Sequence, residues 1–196
     1  MLPAIGCAVL AAGASRRLGR PKQLVLVDGV PLIRHVALAA ARARCARVAI
    51  VLGANAADVV PALGGLDVER VDNPDWAEGM AASVRVAAAW AGRHALDALL
   101  LAVADQPRLS SLHLDALIAA SSDGERTAAS AYGGQLGVPA LFPRSWYPRL
   151  ALLRGDAGAR HLLRASWELV AAVEWQAGAL DVDRPDDLGA TGAGDP

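Results

Sequence analysis

The sequence predicts a single three-layer α/β/α domain built on a mostly parallel, Rossmann-like sheet. Three observations predict it. Short, wholly apolar runs such as Ile5–Leu10 and Ala98–Val103 suit strands buried on both faces. Stretches of helical period alternate with them. The length of 196 residues suits one domain whose core needs no disulfide or structural metal.

The elements follow in order. After the strand Ile5–Leu10, Pro31 is expected to open a helix, with Leu32, Val36, Ala39, Ala40 and Ala43 on one face. Val48–Leu52 is a strand closed by Gly53, and Asn55 is expected to cap a helix running to about Leu63. Val68–Val71 is a short strand, and a helix runs from Gly79 to about Ala91. Ala98–Val103 is a strand ended by the turn Asp105-Gln106-Pro107. Ser110 or Ser111 caps the next helix. Thr127–Tyr132 and Val138–Phe142 are strands around a glycine pair, Ala157–Arg164 is a helix, and Leu180–Val182 is expected as a last strand. The domain is expected over residues 1–188, with a Gly- and Ala-rich tail, 189–196, expected to be disordered.

Composition narrows the function. A net charge of −1 excludes a global electrostatic footprint for nucleic acid, and no apolar run approaches the roughly 18 residues of a membrane span. Cys7 and Cys45 match no metal or redox spacing, which leaves them as reduced packing residues. The apolar start lacks a basic segment before it, so a cytoplasmic location is expected.

Sheets of this kind bind ligands at the carboxyl ends of their strands, so the chemistry is sought in the loops there. The loop after the first strand, Leu10-Ala11-Ala12-Gly13-Ala14-Ser15-Arg16-Arg17-Leu18-Gly19-Arg20-Pro21-Lys22, joins small residues to four cations. Close backbone approach plus Arg and Lys suits a triphosphate. It is neither a phosphate-binding loop of the G-x-x-x-x-G-K-[ST] type nor a G-x-G-x-x-G fingerprint. Asp105 and Asp183 each follow an apolar stretch, and Mg²⁺ is commonly held by one or two carboxylates plus phosphates and waters. As single residues, Asp105 also suits turn duty before Pro107, Met80 core packing, and Ser83 an inert helix position.

Leu10–Lys22 resembles the signature LAAGxSxRMGxxK of the molybdenum-cofactor nucleotidyltransferases, with Leu18 where methionine is usual. These MobA-like NTP transferases belong to a wider superfamily of glycosyltransferase-A-like nucleotidyltransferases. Five more segments resemble the family in order: Asn73–Ser83, Ala102–Pro107, Tyr132–Phe142, Leu153–Arg160 and Asp181–Leu188. Val103, Val138 and Arg184 depart from the usual residues.

The resemblance implies a fold of the nucleotide-diphospho-sugar transferase type, with the following roles. Leu10, Ala11, Ala12 and Gly13 would approach base and sugar, joined by Gly79, Met80 and Ser83. Arg17 and Lys22 would hold phosphate oxygens. Asp105 and Asp183 would hold Mg²⁺, with Mn²⁺ as a substitute; Asp181 competes with Asp183, since one residue of register decides which faces the site. Arg160 would bind an acceptor phosphate or pair with Asp156 four residues earlier. The implied reaction passes CMP from CTP to molybdopterin, with a molybdenum hydroxylase as recipient of the product. Rival readings are a guanylyl transferase, a cytidylyltransferase for small alcohol phosphates, an accessory protein that delivers the finished cofactor, and an NAD(P)H-dependent oxidoreductase on the same scaffold.

Overall fold

The computed structural model describes residues 3–15 and 18–180. Strand β1 (Ile5–Leu10) is buried along its whole length. A one-turn 3-10 helix at Lys22–Leu24 leads to a hairpin of β2 (Leu26–Val27) and β3 (Val30–Pro31), turned by Asp28 and Gly29 at positive φ. Pro31 therefore ends β3 and precedes helix α1 (Leu32–Arg42) rather than opening it. Then come β4 (Arg47–Leu52), α2 (Ala56–Val59) and β5 (Glu69–Asp72). Asn55 makes no side-chain cap, and α2 tightens into a 3-10 turn, Val60–Leu63, which contains Pro61.

Helix α3 (Met80–Arg93) starts after Gly79, and β6 (Ala98–Val103) is placed as expected. Ser110 caps α4 (Ser111–Ala120) by accepting from the His113 amide. Strands β7 (Ala128–Tyr132) and β8 (Gln135–Pro143) form a hairpin, followed by α5 (Tyr147–Ala151), α6 (Ala159–Ala165) and β9 (Ala171–Glu174). Leu180 is not in a strand, and the rest of the expected strand, Asp181–Val182, lies outside the described residues, as does the tail.

Among the described residues, seven strands form the main sheet in the order β5-β4-β1-β6-β8-β7-β9. β8 alone among them runs against the rest. The chain moves outward from β1 through β4 to β5, then returns to the other side of β1 for β6. This reversal puts a switch point between β1 and β6, where Leu10 lies beside Val103.

Period-two alternation divides the core. Cys7 and Val9 face the layer of α1, α2 and α4, while Ala8 and Leu10 face that of α3, α5 and α6. Trp90 on α3 is fully buried, and its indole N–H is satisfied by Glu69 at 2.9 Å. β8 pairs with β6 only from Ala140 onward, so its first residues and the end of β7 project past the carboxyl ends of the parallel strands.

Leu100, wholly buried at the centre of the sheet, reports on this core. Leu100→Ala is expected to cost about 2–5 kcal/mol of stability in urea denaturation.

Candidate functional site

At the switch point the two loops part in opposite directions. The Ala11 amide leans toward β4, donating to Val51 O at 2.9 Å, and Ala12 O accepts from Ala54 N at 3.1 Å. This lean requires Gly53, since a Cβ there would lie 2.7 Å from Ala12 O. Across the gap, Lys22 Nζ donates to Asp105 Oδ2 at 2.6 Å, with both side chains about one-fifth exposed. The other carboxylate oxygen of Asp105 is buried without a partner among the described residues. A buried, unpaired carboxylate oxygen is costly, and it fits a hard divalent cation that takes its remaining oxygens from phosphates and water. No cluster of three or more His, Cys, Asp or Glu exists among the described residues.

The pair closes one side of an open cavity of about 260 Å³. Leu10, Ala11, Ala12, Gly13, Lys22, Gly79, Met80, Ser83 and Asp105 all line it, although they come from four separate parts of the chain. Arg160 does not. Its guanidinium lies over the Tyr132 ring and donates to Tyr132 Oη at 3.0 Å, and no pairing with Asp156 forms. Nor does Asp156 cap α6, whose cap position is Gly158. Arg17, Asp181 and Asp183 lie outside the described residues.

Several polar residues that sequence reasoning missed hold this cavity in shape. Gln23 is buried and donates to Ala11 O at 2.8 Å and Gly13 O at 3.0 Å. Ser15, at φ 53°, accepts from the Lys22 amide at 3.0 Å and donates to Gln23 Oε1. Together they set the curve that brings Lys22 to Asp105. Asn73, also buried, donates to Ser83 Oγ at 3.0 Å. The available signal for Gln23 was a lone polar residue heading the apolar run Leu24–Val27.

A second set of bonds ties the start of α3 to the loop before α6. The Ala81 amide donates to Gly155 O at 3.0 Å, and a Cβ on Gly79 would come within 2.6 Å of that carbonyl. Gly79 has φ 124°, which side chains rarely adopt. Glu78 receives both Arg85 and the Gly155 amide, and Arg85 first of all holds its carboxyl down at about 2. Arg85 also donates to Leu153 O at 3.0 Å.

The model of the MobA-like NTP transferase domain matches residues 7–172. The chain belongs to this family. A nicotine blue oxidoreductase from Paenarthrobacter nicotinovorans is 36% identical over 183 residues, 88% of either chain. Rv0371c of Mycobacterium tuberculosis H37Rv, solved in complex with manganese, is 28% identical with a TM-score of 0.76, covering 96% of this chain and 97% of that one. A nucleotidyl transferase from Methanothermobacter thermautotroptrophicus shares the fold at a TM-score of 0.80 and 24% identity, covering 95% of either chain. The architecture of this MobA-like domain is thus that of the nucleotide-diphospho-sugar transferases.

Behind the cavity, the MobA-like domain buries a polar network. Gln106 donates to Val138 O at 3.1 Å, Gly178 O at 3.3 Å and Tyr132 Oη at 3.4 Å. Tyr132 donates to the same Val138 carbonyl at 2.8 Å. His113 stacks on Trp175 with ring centres 4.5 Å apart. Since Ser130 Oγ donates to Pro139 O, it accepts from His113 Nε2, which fixes the neutral tautomer. Burial pulls the His113 pKa down to about 4.

Two outcomes are expected. Gly79→Ala should unseat the 153–156 loop and cost at least about 1–3 kcal/mol, read as a lowered urea midpoint. For His113, the folded pKa lies below the unfolded value of about 6.5, so its contribution is full above pH 6.5 and is lost as pH falls toward about 4. Wild-type thermal stability should decline across that window, and His113→Asn should flatten the decline.

Proposed function

We propose that the chain is a nucleotidyltransferase that transfers CMP from CTP to the phosphate of molybdopterin, releasing pyrophosphate. The observation that carries this reading is the Lys22–Asp105 pair with its unpartnered oxygen, set at the switch point of a MobA-like fold. An acceptor phosphate oxygen attacks the α-phosphorus. The bond from that phosphorus to the bridging oxygen breaks, and the electron pair leaves with pyrophosphate. The nucleophile is already an anion near neutral pH, so no catalytic base is required.

The protein's part is orientation and charge neutralisation. Leu10–Gly13 present backbone to the nucleoside, and Met80 and Ser83 form the facing wall. Lys22, with Arg17, neutralises phosphate oxygens. A divalent ion held by Asp105 and Asp183 would supply further charge neutralisation on the triphosphate. CTP is the expected donor because Leu10-Ala11-Ala12-Gly13 together with Asp105-Gln106-Pro107 resembles the pattern of the family's cytidylyl-transferring branch. Arg160, on the acceptor side, takes the phosphate of the acceptor. A molybdenum hydroxylase is the expected recipient of the product. No helix among the described residues is long and apolar enough to cross a membrane.

The 36% identity to an oxidoreductase favours a second reading, in which the same cavity binds a nicotinamide dinucleotide. Calorimetry with CTP, GTP, ATP and NADPH, with and without Mg²⁺, separates the two. The transferase reading expects Mg²⁺-dependent binding with CTP ahead of GTP, weakened roughly tenfold or more, about 1.4 kcal/mol, in Asp105→Asn. Tight NADPH binding without triphosphate binding would assign the cavity to the second reading.

A further inference from the structure

A second concavity, of about 540 Å³, lies on the α6 side of the projecting β7–β8 hairpin. Its apolar lining comes from Leu136, Val170, Ala172 and Trp167, with Gly134 at the tip of the hairpin. Trp167 is 66% exposed, an uncommon state for so large an apolar side chain. Arg164, one helical turn after Arg160, lines the same space and donates to Gln135 at its rim. The volume is within the range of small-ligand sites.

A series of neighbouring residues leads from the nucleotide cavity toward this concavity. Met80, on the wall of the first cavity, abuts Gly158, where an added Cβ would lie 3.2 Å from its Cγ. Helix α6 starts at the next residue, and its Arg160 donates to Tyr132 Oη and lies beside Gly137, where an added Cβ would be 3.1 Å away. Arg164, Leu136 and Trp167 follow. A cation therefore lies along this series of residues, and the Trp167 indole at its far end.

We propose that this concavity is the seat of the acceptor's ring system: a flat, polar heteroaromatic ring laid on Trp167, with its phosphate reaching back to Arg160. The ring is the class of ligand that an exposed indole and a neighbouring guanidinium recognise, through stacking and cation–π contact. The phosphate's direction rests on the transferase reading above. The ring site itself stands on the geometry of Trp167, Leu136 and Arg164.

The test is calorimetric titration of the full chain with neopterin and neopterin monophosphate, alongside Mg²⁺–CTP. Trp167→Ala removes an exposed side chain, so folding should be retained, and circular dichroism checks this. The expected result is a roughly tenfold weaker neopterin affinity in Trp167→Ala, as for loss of a stacking platform, with the affinity for CTP unchanged. Arg160→Gln should erase the advantage of the monophosphate over neopterin and leave neopterin binding intact. Failure of wild type to bind neopterin, equal binding by Trp167→Ala, or competition between neopterin and CTP for one site would overturn the proposal. A wild-type dimer that dissociates in Trp167→Ala would overturn it too, giving the surface to a second copy. Were no triphosphate to bind while the Trp167 effect held, the transfer reading would fall and the ring site would stand.

Discussion

The ion pair between Lys22 and Asp105 is the contact on which the candidate site depends. It joins the loop after β1 to the loop after β6, at the switch point between those two strands. Partial burial keeps it less screened than a surface pair. It also leaves one oxygen of Asp105 without a partner among the described residues, a cost of the kind that folds tolerate at functional sites. Everything around the pair serves its position: Gly53 lets the first loop lean away, and Ser15 and Gln23 curve the chain back so that Lys22 returns to the gap.

How much of this was legible in the sequence depended on how local each signal was. β1 and β6 were readable to the residue because strands buried on both faces are continuous apolar runs. β9 was not, because Ala171-Ala172-Val173-Glu174 is a half-exposed edge strand whose partner, β7, lies some forty residues earlier in the chain. The β2–β3 hairpin is only two residues a side, too short for periodicity, although its Asp28-Gly29 turn was there to be noticed. The nine cavity residues were legible through motif resemblance and loop position. Their braces were not, since Gln23, Asn73 and Gln106 act through bonds to backbone carbonyls and a serine hydroxyl that only the folded chain brings near. Arg160 shows the limit of spacing rules: Asp156 is at helical distance in sequence but lies before the helix begins, so the guanidinium turns to Tyr132 instead.

The bonds from Ala81, Glu78 and Arg85 to residues 153–155 make the start of α3 and the approach to α6 one unit. The cavity wall at Met80 and Ser83 and the approach to α6 therefore do not float independently. Tension on one reaches the other through Gly79, whose backbone allows no side chain.

The single reversed strand, β8, has a consequence for how such a domain can diversify. Among the described residues, six strands end at the edge that carries the cavity. β8 instead begins at that edge, and with β7 it overshoots the sheet as a hairpin tipped by Gly133 and Gly134. Lengthening or reshaping that tip leaves β1, β6 and the ion pair between them in place. Variation in that two-residue turn is thereby uncoupled, in the architecture, from the packing that sets the first cavity.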